Sequence, residues 1–324
     1  MSSEFRVQGF LKKHNVKGTI AVAVSGGIDS MALAFLLSQS HEIIALIIDH
    51  GLRAASSAEA KKTAKILDGL GIENTILRKK HSIKANLQEE ARKLRYGLLL
   101  DYCKKHKIKY LATAHHAEDN AETFLLRLSR GSGLDGLSGI AAMSEMQGVK
   151  IIRPVLDFSK AELKKILVAN KIKWVEDPTN RTDKYKRNKL RLALGKLEDK
   201  ELVTARINDA AANLARVRDF IELETEKAYN SCVSGNILDP KKLEKLHDEI
   251  AYRVLVNVIM RLSGDEKKPR FEKLKRLKDD LVADKTRTLN GLIFRPKKGK
   301  IIILREAGAE PAMSARSAVP SEGQ

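Results

Sequence analysis

The sequence predicts an α/β fold, a doubly wound parallel sheet of the Rossmann-like type, followed by a smaller C-terminal domain of mixed helices and strands. Three observations carry this prediction. Apolar, β-branched runs alternate with helical patterns through residue 197, which is the βαβα order of a parallel sheet. A glycine turn at 25–30 joins the first of these runs to a helix. Beyond residue 198 the alternation is replaced by longer helical patterns and a closing pair of strands.

The strands of the first domain are predicted from short apolar runs bounded by polar or glycine residues. The run from Glu42 to Asp49 is the strongest, because every residue between these two is Ile, Ala or Leu, as in a buried parallel strand. The predicted strands are 19–24, 42–49, 73–77, 109–113 and 150–156. Their carboxyl ends are where ligands bind in such sheets.

The helices between these strands follow from helical spacing and from capping patterns. Ser56 with Glu59, and Ser159 with Glu162, have the spacing of capping boxes, and each pair predicts the start of a helix. The first of these helices is predicted to end near Gly69 or Gly71. The other predicted helices begin at about residue 31 or span 86–105 and 118–128. Alternation of strands and helices is thereby complete over the first domain.

Four segments are predicted along the chain. An α/β domain spans 1–197, a connecting helix 198–234, a small basic domain 235–306, and a tail 307–324 rich in Ala, Ser, Pro and Gly that is expected to be disordered. The basic domain is predicted to contain helices at 240–262 and 271–282. Strands at 287–294 and 300–304, joined by Pro-Lys-Lys-Gly, are predicted to close it.

The composition indicates a polyanionic partner and no membrane. The formal net charge is +19 over 324 residues, and the excess is greatest in 151–200 and 267–300, as suits contacts with a phosphate backbone. Two cysteines cannot form a disulfide framework, and no apolar run approaches the ~18 residues of a membrane span. We therefore expect a cytoplasmic location. The sequence leaves the oligomeric state open, a homodimer included.

The turn at 25–30, Ser-Gly-Gly-Ile-Asp-Ser, has the properties of an anion site. Gly26 and Gly27 allow a close backbone approach, and Ser25, Ser30 and the N–H groups of the helix start at Ile28 can hold phosphate oxygens. Asp29 is the best ligand for Mg²⁺, although a carboxylate here also suits the helix dipole. No lysine follows the turn, unlike in the common phosphate-binding loop that ends in Gly-Lys-Ser/Thr. The turn resembles the PP-loop of the ATP pyrophosphatases, and this resemblance implies ATP as a substrate, with release of pyrophosphate and AMP.

Further polar segments follow the other predicted strands. They contain His50, Arg95, the pair His115 and His116, the pair Asp119 and Glu122, and the group Arg187, Asn188 and Arg191. As a set, over roughly residues 18–195, they resemble the tRNA(Ile)-lysidine synthetase family of PP-loop enzymes. Two small departures are Asn120, where the family usually has Gln, and Ile140, where Met is common.

The resemblance implies a reaction in two steps. ATP adenylates the C2 oxygen of the wobble cytidine in a tRNA(Ile) with a CAU anticodon, and the ε-amine of free lysine then displaces AMP to give lysidine. The implied partners are that tRNA and free lysine, with ATP and Mg²⁺. Arg187, Asn188 and Arg191 are the predicted tRNA-binding residues, because the positive charge concentrated in their segment suits contacts with a phosphate backbone.

The resemblance and the chemistry together assign the remaining residues. His50 is expected to bind nucleotide and Arg95 to act on the developing charge, although a structural ion pair suits Arg95 equally. One of His115 and His116 is expected to be catalytic, and the sequence does not decide which. The pair formed by Asp119 and Glu122 is assigned to lysine; because a carboxylate raises the pKa of an ammonium, it suits the α-ammonium better than the attacking ε-amine.

The main alternative is a PP-loop tRNA thiolase, which transfers sulfur to a base. Such chemistry usually needs paired cysteines. Here Cys103 lies inside a predicted helix and Cys232 is remote from it in sequence, so the lysine ligase is the favoured prediction.

Overall fold

The computed structural model describes residues 2–49, 54–78, 87–175, 197–264 and 268–306, together with Leu190 and Leu194. The chain forms two compact units, residues 1–215 and 216–324. Within the described ranges, no helix is both long enough and apolar enough to cross a bilayer.

The first unit is built on a six-stranded sheet. Its strands are β1 Ile20–Val24, β2 Ile43–Asp49, β3 Asn74–Arg78, β4 Tyr110–Ala112, β5 Met143–Met146 and β6 Val149–Ile152. Their order is β3-β2-β1-β4-β6-β5, and every neighbouring pair is parallel except β5 with β6. The predicted parallel α/β fold is confirmed, and the antiparallel edge strand β5 is an addition that the sequence patterns did not predict.

Helices cover both faces of this sheet. They are α1 Ser3–Lys13, α2 Ile28–Ser38, α3 Ala54–Asp68, α4 Leu87–Lys105, α5 Ala117–Leu128, α6 Leu134–Leu137 and α7 Lys160–Ala169. Successive residues of β1 enter different cores: Ile20 and Val22 pack with residues of α1, α2 and α7, and Ala21 packs with residues of α4. This two-sided burial is why β1 is apolar at every position.

Parallel pairing gathers the polar strand ends at one edge of the sheet. Val24 of β1 is in register with Ile47 of β2, and Val22 with Ala112 of β4. The chain therefore leaves β1, β2 and β4 on the same side, and the turn at 25–30 lies beside the segment that begins at Thr113.

Two predicted details of the first unit are wrong. Helix α3 begins at Ala54, before Ser56, and the Ser56 hydroxyl donates to Asp49 at 2.9 Å instead of capping the helix. Strand β6 ends at Ile152, and turns replace the predicted extension to 156. The capping box of Ser159 and Glu162 at the start of α7 is confirmed.

The second unit contains an antiparallel sheet and short helices, which confirms the mixed C-terminal fold. Helix α8, Lys200–Cys232, spans the division between the units. After it come β7 Val233–Ser234, β8 Ile237–Leu238, α9 Pro240–Glu244, α10 Asp248–Ser263, α11 Phe271–Val282, β9 Arg287–Leu289, β10 Leu292–Lys297 and β11 Lys300–Arg305. The strand order is β7-β8-β11-β10-β9.

Two predicted elements of this unit are each divided in the structure. The helix predicted at 240–262 is two helices, because His247 caps the start of α10 by accepting from the Glu249 N–H at 3.2 Å. The strand predicted at 287–294 is a hairpin, because Asn290 and Gly291 both adopt positive φ and reverse the chain. The helix predicted at 271–282 has the predicted bounds.

Candidate active site

The turn between β1 and α2 depends on glycine at Gly26. Its φ is +87°, and a Cβ atom there would lie 2.3 Å from Thr63 Oγ1. The Gly26 carbonyl accepts a hydrogen bond from the Val175 N–H at 2.8 Å. No side chain larger than hydrogen fits here unless the buried Thr63 side chain is displaced.

Ser30 braces this turn from inside. Its buried hydroxyl accepts from the Ser25 N–H and donates to the Gly27 carbonyl, both at 3.1 Å. Gly27 is the N-cap of α2 and supplies no side-chain cap. A Cβ on Gly27 would meet only Ser25 Oγ, at 3.7 Å. The first turn of α2 therefore has N–H groups that an anion can accept from, beside the exposed Ser25.

Asp29 occupies the first turn of α2 and has two different oxygens. Its Oδ1 is buried and has no hydrogen-bond partner among the described residues. Its Oδ2 lies 3.6 Å from His116 Nε2 and 3.9 Å from Lys160 Nζ. Burial raises the pKa of Asp29, and the charges of His116 and Lys160 oppose that rise. An orphaned carboxylate oxygen of this kind suits a cation, and Mg²⁺ takes one or two protein carboxylates when it also binds phosphate.

His116 is the centre of the cluster. Its Nδ1 lies 2.8 Å from Glu118 Oε2, and its Nε2 lies 3.5 Å from Asp119 Oδ2, close to Asp29 on the same side of the ring. Burial alone would lower the pKa of His116, but the hydrogen bond to Glu118 and the charges of Asp119 and Asp29 outweigh it, and the pKa is raised. The protonated imidazolium is the form that these carboxylates favour.

His115 points elsewhere. Its Nδ1 lies 3.0 Å from Thr113 Oγ1, and the residue is half-buried. The structure thus brings His116, and not His115, into contact with Asp29 of the phosphate loop.

Asp119 and Glu122 lie one turn apart on α5 but differ in access. Asp119 Oδ2 accepts from the His116 N–H at 3.3 Å, and its side chain is 18% exposed. Glu122 is only 1% exposed. The Asp119 carboxylate is therefore partly accessible to solvent, whereas Glu122 is buried.

Two residues that the sequence patterns did not single out complete the cluster. Both oxygens of Glu118 lie 3.1 Å from the Lys160 backbone nitrogen, so Glu118 joins His116 to the start of α7. Lys160 is the first residue of α7. The capping box at Ser159 was a usable signal for the position of Lys160, but nothing local in the sequence indicates that α7 starts beside Asp29.

Arg95 lies on α4, where its residue surface is exposed but partial burial of the guanidinium lowers its pKa. None of the contacts described above joins Arg95 to this cluster. His50, Arg187, Asn188 and Arg191 lie outside the described residues.

The cysteines have the properties of core residues. Cys103 is fully buried in α4, and burial raises the pKa of its thiol to about 11. Cys232 ends α8 and is also buried, which raises its pKa. Both thiols are held in the unreactive protonated form. Across the described ranges, no group of three or more His, Cys, Asp and Glu side chains is arranged to hold a metal ion by itself.

Comparison with known proteins gives this site a family. A PP-loop domain model matches residues 1–198. A tRNA(Ile)-lysidine synthase of Wolbachia sp. subsp. Brugia malayi (strain TRS) is 38% identical over 304 residues, covering 89% of this chain and 70% of the relative. The chain belongs to the tRNA(Ile)-lysidine synthase family. Another member, from Ruegeria pomeroyi, is 35% identical over 297 residues, covering 89% of this chain and 71% of its own length.

Solved structures show the same PP-loop fold at greater distance. A U34-tRNA thiolase from Methanococcus maripaludis aligns with a TM-score of 0.56 at 19% identity, covering 66% of this chain and 77% of its own. At that identity the likeness concerns the fold alone. The predicted family is confirmed, and with it the prediction that the chain is an enzyme of the tRNA(Ile)-lysidine synthase class.

Proposed function

We propose that the chain ligates free lysine to C2 of the wobble cytidine in a tRNA(Ile) with a CAU anticodon. ATP would adenylate the C2 oxygen, and the lysine ε-amine would then displace AMP. One observation supports the proposal most: the phosphate-loop residue Asp29 and the partly exposed carboxylate Asp119 both lie beside the same ring nitrogen of His116, Nε2. Lysidine synthases as relatives support the same reaction.

The phosphate half of this site consists of the turn and the start of α2. The N–H groups of the first turn and Ser25 would hold the triphosphate, and the brace from Ser30 keeps them oriented. Asp29 would hold Mg²⁺ through its unpaired Oδ1. When bound, Mg²⁺ supplies charge neutralisation for the departing pyrophosphate.

The lysine half is centred on Asp119. Its partly exposed carboxylate suits the α-ammonium, because a carboxylate holds an amine in its charged form and the attacking ε-amine must be neutral. Glu122, buried one turn further along the same helix, is the second carboxylate proposed for lysine. His116 would orient Asp119 and Asp29 relative to each other.

The tRNA would be held by positive charge outside this cluster. Arg187, Asn188 and Arg191 are proposed contacts, together with the basic second unit, whose helix α11 and strands β10 and β11 carry many Lys and Arg residues. The cytoplasmic location and the possible homodimer remain predictions. Sedimentation of the purified chain tests whether it forms a homodimer.

Nucleoside mass spectrometry tests the reaction directly. A tRNA(Ile) transcript with a CAU anticodon is incubated with the protein, ATP, Mg²⁺ and isotope-labelled lysine, then digested to nucleosides. We expect a cytidine derivative that carries the label, together with AMP and pyrophosphate. A transcript with uridine at the wobble position is the matched control. Failure of labelled lysine to enter the wobble nucleoside, or transfer of sulfur in its place, would contradict the proposal.

Asp29→Ala tests the phosphate half. Loss of the cation ligand should lower tRNA-dependent AMP release by at least about 100-fold while tRNA affinity stays within about twofold. Asp101→Ala is the control, because Asp101 is an exposed carboxylate on α4 of the same unit. AMP release by Asp29→Ala at the rate of the control variant would rule out the metal role.

Asp119→Asn tests the lysine half. Removing the charge should raise KM for lysine about tenfold or more, as expected when a charge-assisted hydrogen bond is removed, and should change tRNA adenylation less. Adenylation is followed as pyrophosphate release without lysine. Equal losses in both steps would remove Asp119 from the lysine site.

A further inference from the structure

The phosphate loop has no positive side chain of its own. Residues 25–30 contain Ser, Gly, Ile and Asp, and the one charge among them is negative. Cleavage between the α and β phosphates adds negative charge to a leaving group that is already strongly charged. A cation from elsewhere in the chain is therefore expected near the start of α2.

We infer that Lys160 is this cation and contacts the phosphates of the bound nucleotide. Its Nζ lies 3.9 Å from Asp29 Oδ2, at the first turn of α2. This inference rests on the proposed use of ATP and assigns a residue that the sequence patterns left without a role.

The backbone of Lys160 is held from two directions. Ser159 Oγ accepts from the Glu162 N–H at 3.1 Å, and Glu162 accepts from the Ser159 N–H at 2.7 Å, which fixes the first turn of α7. Glu118 accepts from the Lys160 N–H with both oxygens. Helix α7 also packs against α2. The start of α7 is thus locked beside the phosphate loop.

The side chain of Lys160, by contrast, is only loosely held. It is 50% exposed, and the contact with Asp29 is longer than a hydrogen bond. Within the part of the chain that the structure describes, no hydrogen bond occupies its Nζ. An exposed ion pair of this length contributes little to stability. A lysine with a fixed backbone and an ammonium that makes only a long ion pair is suited to bind phosphate as a point charge.

The anion that Lys160 binds has two chemical sources in this reaction. One is the triphosphate of ATP, and the other is the α-carboxylate of free lysine. The geometry favours the triphosphate, because the Lys160 ammonium lies beside Asp29 at the start of α2. The residue proposed to bind the substrate lysine, Asp119, lies on α5. Steady-state constants for the two substrates separate these sources.

The test compares Lys160→Ala, Lys160→Gln and Lys160→Arg with the control Lys164→Ala in the full chain. Lys164 is exposed one turn further along α7. The assay measures tRNA- and lysine-dependent AMP release while ATP and lysine are varied separately. We expect Lys160→Ala and Lys160→Gln to raise KM for ATP about tenfold or to lower kcat by a similar factor, consistent with one charge-assisted contact. KM for lysine should stay within about twofold, Lys160→Arg should recover most of the activity, and Lys164→Ala should match the unmodified chain.

The outcomes separate this inference from the function on which it rests. If the unmodified chain releases no AMP with tRNA and lysine, the proposed function fails. If it does and Lys160→Ala has unchanged constants for ATP, the inference about Lys160 is overturned. A rise confined to KM for lysine overturns it as well, because the anion is then the lysine carboxylate. Thermal unfolding followed by circular dichroism should give the same midpoint for all variants, since Lys160 is a half-exposed helix residue. A lowered midpoint in both Lys160→Ala and Lys160→Gln would assign Lys160 to the stability of the fold and overturn the inference.

Discussion

Replacing Gly26 by alanine should cost the first unit a large part of its stability. The residue is at φ +87°, where a side chain is strained by about 1–3 kcal/mol. The new Cβ would also lie 2.3 Å from Thr63 Oγ1, well below the 3.0 Å limit of real Cβ contacts. Relieving such an overlap in a packed region costs about 1–3 kcal/mol more. The sum, about 2–6 kcal/mol, is comparable with the ~5–15 kcal/mol that stabilises a typical domain.

The chain offers a direct probe of this change. Its single tryptophan, Trp174, packs against the core of the first unit. Tryptophan fluorescence in a urea titration therefore reports the unfolding of that unit. We expect a large fall in the midpoint for Gly26→Ala. Adding Thr63→Ala should restore the part of the lost stability that comes from the overlap, whereas the cost of backbone strain should remain. A double-mutant cycle separates these two contributions.

Gly27→Ala is the matched control. Gly27 has φ −76°, which any residue adopts, and its nearest neighbour to a new Cβ is Ser25 Oγ at 3.7 Å. Its unfolding midpoint should lie near that of the unmodified chain, while ATP use should fall because the methyl group stands at the anion site. The reasoning is refuted if Gly26→Ala unfolds at the unmodified midpoint, or if both alanine variants are destabilised equally.

Three further changes have definite expected outcomes. Arg187→Ala with Arg191→Ala should weaken tRNA binding and reduce the slope of log affinity against log salt by about 1 for each phosphate that the protein no longer neutralises; an unchanged slope would assign both residues to another role. Burial raises the pKa of Glu162, but hydrogen bonds from the start of α7 and from an arginine of α1 outweigh it and lower the pKa below 4.5. Its stabilising contribution is therefore present at neutral pH and disappears as the pH falls through the lowered value. Glu162→Gln should cost about 0.5 kcal/mol at pH 7 in urea titrations, because the carboxylate is 44% exposed and glutamine can keep the capping hydrogen bond, and it should flatten that acid dependence; equal losses at pH 7 and pH 3 would contradict this. The double variant Cys103→Ala with Cys232→Ala should keep tRNA-dependent AMP release within about twofold of the unmodified chain. Loss of this activity without loss of folding would support the thiolase alternative.

The errors at the element level have local causes. Periodicity alone joins 240–262 into one helix, because apolar spacing does not reveal the break before His247, where a histidine acts as the cap. The merged strand at 287–294 had a visible signal: Asn290 followed by Gly291 is the dipeptide most typical of a hairpin turn. Helix α1 was not predicted, although Ser2 caps it and Val7 and Leu11 are buried in the core.

The sequence by itself determined the strand, turn and helix around residues 25–30, because apolar runs and a glycine at positive φ act over a few residues. It also determined that Asp119 and Glu122 share one helix. Only the tertiary structure decided that His116 contacts Asp29, that Glu118 joins it to α7, and that Lys160 lies at the phosphate loop. These contacts join residues far apart in the chain. They depend on the pairing of β1 with β4 and on the packing of α7 against α2, which the whole domain sets through the burial of its core.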